Sequence, residues 1–132
     1  MAMNYLAVLA SAIASFVIGM IWYGPLFGKR WMKLSGVTPQ KMKGKSPVQS
    51  MLMGFVASLV TAYVLATFVG YMMSDTFMLG AQLAFWLWLG LVAPVQLGSF
   101  LWEGKPFSLF VLNTAYNLVT LIVMTGILAV WH

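Results

Sequence analysis

The chain has no cysteine, one histidine and two acidic residues among its 132. Without cysteine there is no disulfide, no thiolate metal site and no cysteine nucleophile. The histidine, His132, and the acids, Asp75 and Glu103, fall in three separate places. No ligand set converges for a metal, and no cofactor is expected. Acid–base catalysis and proton relays lean on ionisable side chains, and the long apolar stretches hold none. No catalytic residue can be named, which argues against most hydrolases and proton-coupled transporters and makes an enzyme the weakest class. Charged residues are 7% of the chain, against about 25% in soluble domains.

What is present is apolar. Hydrophobic residues make up 62% of the chain, where about 45–50% is usual. A soluble domain of this length leaves too much of its surface wet to hide that excess. The net charge of +5 does not indicate nucleic acid, because the bases sit in one short segment with no reading domain around them. The class is integral membrane protein, and the first partner is the lipid bilayer.

Charges divide the chain into uncharged stretches at 1–28, 46–74, 76–102 and 106–132. Each is long enough for one span of about 20 residues and too short for two. None alternates polar and apolar as a barrel strand does. The expectation is an all-α, four-helix transmembrane bundle forming one domain over 1–132, with spans near 3–27, 49–73, 79–101 and 107–131. Six of the seven bases lie in the loop 28–47, so the positive-inside rule makes that loop cytoplasmic. Both termini and the Ser74-Asp75-Thr76 turn then face outward, and the Trp102–Pro106 turn inward. Trp22, Tyr23, Trp31 and Trp102 form an inner aromatic belt, and Tyr5, Tyr71 and Trp131 an outer one. The first span is expected to be retained as an anchor, because no basic region precedes it and its apolar run is too long for a cleaved signal.

Lipid supplies no hydrophobic drive between helices, so small residues that allow close approach matter. The second span carries Gly54, Ser58, Ala62, Ala66 and Gly70 at four-residue spacing, and the first carries Ala7, Ser11, Ser15 and Gly19. Two readings stay open, the first two spans packing together or a homodimer seam. In the third span Pro94 leaves the Gly90 carbonyl without its helical donor, so a kink is expected. With the last two spans as a hairpin, Gln96 comes level with Asn113, and Asn117 within about a turn of Gly90. Gln96, Asn113, Asn117, Gly90 and Pro94 thus form one polar intramembrane cluster, either an interhelical clamp or the lining of a path for a neutral solute.

At the inner face, Pro25 and two glycines end the first span. Trp31 and Leu34 can then lie in the membrane surface while Lys29, Arg30 and Lys33 meet anionic lipid head groups. Thr38-Pro39 is a candidate cap for a further turn. Glu103, beside Trp102, is a candidate latch to Lys29 or Arg30, a type of pair worth about 0–1 kcal/mol.

Asn4-Tyr5-Leu6-Ala7-Val8, Trp22 to Lys29 and Trp31 to Gly36 resemble the bacterial family catalogued as domain of unknown function 1761. So do Trp88 to Pro94, the turn Glu103 to Pro106 and Asn113 to Asn117. The resemblance spans nearly the whole chain and implies four membrane helices with no established activity, so it carries over no functional residue. Here Pro39-Gln40-Lys41 follows Thr38 where family members often turn acidic. The expectation is a small inner-membrane (cytoplasmic-membrane) protein, multi-pass, non-enzymatic and self-associating as a homo-oligomer. The alternative is an oligomeric channel or carrier for a small neutral or lipophilic solute.

Overall fold

The computed structural model describes residues 4–35, 47–73 and 75–131, all helix and turn. The expected cap at Thr38-Pro39 and the bases Lys41, Lys43 and Lys45 lie outside the described residues. Asn4 opens α1 (Tyr5–Ile21), its side-chain oxygen accepting the Ala7 N–H at 3.2 Å, which satisfies one of the free donors of the first turn. A π-helical turn, Trp22–Leu26, leads to the short α2 (Gly28–Ser35). After α3 (Pro47–Tyr71), Thr76 caps α4 (Phe77–Leu87) through the Leu79 N–H. A second π turn, Trp88–Val92, passes into α5 (Ala93–Leu101). Pro106 then sits just outside α6 (Phe107–Val130), where it lacks no needed donor.

Among the described residues, four helices are long and apolar enough to cross a membrane: Tyr5–Leu26, Met51–Tyr71, Phe77–Gly98 and Phe107–Val130. They do not form a ring of equals. The last helix, α6, touches α1, α2, α3, α4 and α5. The principal core joins α1, α3 and α6 through Ala7, Val8 and Ala12, through Ala62, Leu65 and Val69, and through Met124, Leu128 and Ala129. Leu83 and Leu87 of α4 pack against that cluster.

Small residues set the spacing. The fully buried Ser11 hydroxyl donates to the Ala7 carbonyl at 2.8 Å and reaches the Met124 carbonyl at 3.4 Å. Ser15 and Ser58 hydroxyls meet at 3.4 Å between α1 and α3. In the α3 stripe, Ala62 is fully buried and Ala66 packs on the core. Gly54 and Gly70 have nothing within 4 Å of where a Cβ would stand. The middle of the stripe therefore packs within the chain, and its two ends do not. At the same end of the bundle, the Asn4 amide donates to the Trp131 carbonyl at 3.3 Å, tying the start of the first span to the finish of the last.

The tightest approach is α4 to α6. A Cβ on Gly80 would stand 2.8 Å from the Thr125 carbonyl oxygen and 3.1 Å from the Ala129 Cβ. Backbone cannot yield as a flexible side chain can, so only glycine fits there. Gly80→Ala is expected to lower stability by about 1–3 kcal/mol through overpacking, whereas Gly54→Ala leaves it unchanged or slightly raised. Thermal unfolding in detergent checks the pair; equal behaviour of the two variants contradicts the close-approach account.

Candidate functional site

At the end of the bundle away from the Ala7–Leu128 core, two prolines change the helices. Pro25 cannot donate to the Ile21 carbonyl, and the chain breaks at Gly24 (φ −107°, ψ −105°). The Phe27 N–H instead reaches back five residues to the Trp22 carbonyl at 2.9 Å. A Cβ on Gly28 would stand 2.6 Å from the Tyr23 carbonyl oxygen, so glycine is needed for α2 to fold back. Pro94 follows the other π turn, in which the Ala93 N–H reaches the Trp88 carbonyl. That longer step accommodates a residue with no N–H to give.

The first break turns Tyr23 inward. Its hydroxyl donates to the Asn113 side-chain oxygen at 2.7 Å. Its ring packs between Trp31 (centroids 5.8 Å, near edge-on) and Tyr116 (5.1 Å). Trp22 packs on Phe27 at 4.8 Å and on Tyr116 at 6.2 Å, and its buried indole N–H has no partner among the described residues. Across the bundle, the Trp88 indole N–H donates to the Thr114 carbonyl at 2.7 Å, joining the third span to α6. The Thr114 hydroxyl turns back to the Phe110 carbonyl.

Between these contacts lies a groove of about 760 Å³ lined by Tyr23, Trp31, Met51, Gln96, Asn113, Tyr116 and Asn117. A second recess of about 420 Å³ shares Gln96 and Asn113 and adds Val95, Gly98, Trp102 and Glu103. The three amides picked out in the sequence, from α5 and α6, thus border one groove, and each is half-buried. Gly90 and Pro94 are exposed and do not line it. Asn113 accepts a bond from Tyr23, at the end of the first span. Tyr116 lies beside the amide pair in sequence and lines the same groove, and Met51 carries no polar group to mark it. Tyr23 was read only as a belt residue. Aligning the inner ends of α1 and α6 as antiparallel neighbours places Tyr23 within one turn of Asn113, a signal that was available.

On α2, Lys29, Arg30 and Lys33 are exposed, while Trp31, Met32 and Leu34 are half-buried, the distribution of a helix lying in an interface. Glu103 and Trp102 are exposed on the rim of the second recess, Trp102 at 86%. Among the described residues, no group of three or more His, Cys, Asp or Glu could hold a metal ion.

Comparison with known families gives a match over residues 6–129 to the family model described as Protein of unknown function (DUF1761). Neither a curated protein nor a solved structure matches the chain.

If the Tyr23 hydroxyl orients Asn113, Tyr23→Phe should cost about 0.6–2 kcal/mol, the range for hydrogen bonds between membrane helices. Adding Asn113→Leu should cost little beyond Asn113→Leu alone. Additive losses in this double-mutant cycle, read by thermal unfolding, would show the two side chains to be independent.

Proposed function

We propose that this chain, which belongs to the DUF1761 family, is a small multi-pass inner-membrane protein that binds or carries a small neutral or lipophilic solute. The observation that carries the proposal is the shared groove of Gln96, Asn113 and Asn117, with Tyr23, Trp31 and Tyr116 beside them. Polar amides facing only lipid are costly, and a groove lets them meet a ligand's polar atoms. Every side chain lining it is neutral, which suits an uncharged solute and a non-enzymatic role. A bend at the π turn before Pro94 opens the third span beside the groove in this reading.

Self-association belongs to the same proposal. It is favoured by Gly54 and Gly70, which meet no atom of their own chain and are small enough for a second copy to approach closely. Native mass spectrometry of the purified protein is expected to show more than one copy with a small molecule retained. Asn113→Leu with Asn117→Leu should lose the molecule and keep the copy number. A variant that unfolds shows the amides to be a packing clamp, and one that keeps the molecule removes them from the site.

Orientation follows from the bases. The loop after α1 carries six of seven and faces the cytoplasm, with both termini outside. The exposed bases of α2 attract anionic head groups, at about 1 kcal/mol each near the surface. Because the chain has no cysteine, Asp75→Cys should react with a membrane-impermeant maleimide in whole cells and Lys29→Cys only after lysis. The opposite labelling pattern reverses the topology.

A further inference from the structure

The groove and the core occupy opposite ends of the bundle. Core residues come from the first turns of α1 (Ala7, Val8, Ala12), the last half of α3 (Ala62, Leu65, Val69) and the last turns of α6 (Met124, Leu128, Ala129). Groove residues come from where α1 ends, from α2, from the first turns of α3, and from α6 no further than Asn117. Asn117 lies ten residues into α6, about 15 Å from its start at 1.5 Å per residue. The hydrocarbon layer is about 30 Å thick, so the groove reaches its middle. The next inward-facing residues of α6 are Thr120, 6% exposed, and Met124, 1% exposed. Ser11 and Ala12 of α1 and Ala62 of α3, each at 0%, lie in the same packed region. The groove ends against that packing and is blind.

Its lining limits the occupant. No charged side chain lines it, so an ion entering would lose water without gaining a partner. Three aromatic rings and a methionine supply flat and adaptable apolar walls. Tyr23 donates to the Asn113 oxygen, and the other end of that amide carries N–H donors. The volume, about 760 Å³, falls in the range of small-molecule sites, about 300–1,000 Å³. A head group fits, with an apolar tail running out into lipid.

Resting on the groove reading above, we propose that this is a blind site, loaded from the leaflet beside α2, for the carbonyl-bearing ring head of a neutral lipophile of the quinone class. The ring lies against Tyr23, Trp31 and Tyr116, and a carbonyl oxygen accepts from the Asn113 amide. Because the packed half closes the far side, the ligand enters and leaves on one side, and the protein presents or stores it without conducting it across.

The test uses the full chain in lipid nanodiscs, with two probes read by native mass spectrometry: decylubiquinone, a carbonyl-bearing ring, and farnesol, an isoprenoid alcohol with neither ring nor carbonyl. Decylubiquinone is expected to bind one per chain, about tenfold more tightly than farnesol, and to weaken about tenfold in Asn113→Leu, the loss of one hydrogen bond in a dry site. Asn113→Gln, which keeps an amide, should restore part of the binding if Asn113→Leu folds poorly. Trp86→Phe, on the exposed face of α4, should change nothing. Equal or tighter farnesol binding that still depends on Asn113 overturns the ring class and leaves the groove reading standing. Binding of neither probe overturns the quinone-class site, and the groove reading falls with it only if the purified protein also retains no small molecule. Decylubiquinone binding indifferent to Asn113 and Asn117 overturns the site. Glycerol flux into proteoliposomes above that of empty vesicles, and abolished by Asn117→Leu, overturns the blind end.

Discussion

The close approach of α1 and α4 to the last turns of α6 is the contact on which the rest of the structure depends. Helices in lipid gain nothing from hydrophobic burial against one another, so they hold together by dispersion contacts and hydrogen bonds that need short distances. Gly80 lets α4 rest on the Thr125 backbone, and Ser11 lets α1 reach the Met124 carbonyl. Thr114, Thr120 and Thr125 return their hydroxyls to carbonyls of their own helix, so these three do not need partners on neighbouring helices. One helix thereby serves as the common partner for the rest.

That arrangement concentrates tight packing at one end and releases the other. Where α1 and the third span run past the packed region, both pass through a π turn next to a proline. The wider turns and the break at Gly24 send Trp22, Tyr23 and Trp31 back toward α6, where aromatic rings fill space that small residues fill at the far end. Rings pack at centroid spacings of about 4.5–7 Å, which is too far for backbone contact, so a groove remains between them. Gln96, Asn113 and Asn117 sit in this looser half, where Asn113 has Tyr23 as a partner.

How much of this was legible follows from what each signal measures. The four spans were readable because charge is expelled from lipid, and the nine charged residues mark the connections. Which faces meet was harder, because a helix apolar all round carries no amphipathic signature. The α3 stripe shows the limit. Small residues at four-residue spacing predict a contact line, yet only Ser58, Ala62 and Ala66 meet their own chain while Gly54 and Gly70 do not. Gly80, which sets the tightest contact, has one small residue at four-residue spacing in α4, the buried Ala84, too short a run to stand out as a stripe. The amide cluster was found by depth within the last hairpin. Its Tyr23 partner belongs to a span distant in sequence, and depth matching had not been extended to it.

The scarcity of charge also shapes what the groove can do. An intramembrane site built from carboxylates or histidines would respond to pH and attract ions, and such groups in a span are costly to keep. Amides, hydroxyls and indoles carry no net charge, so their selectivity rests on hydrogen-bond direction and shape. Here one direction is set locally: the Tyr23 hydroxyl, from the turn after α1, donates to the Asn113 oxygen, and the N–H end of that amide is a donor. A single aromatic residue placed by a proline break therefore ties the end of the first span to Asn113 of the last. Selectivity of this kind asks for a partner that is neutral, flat and rich in acceptors.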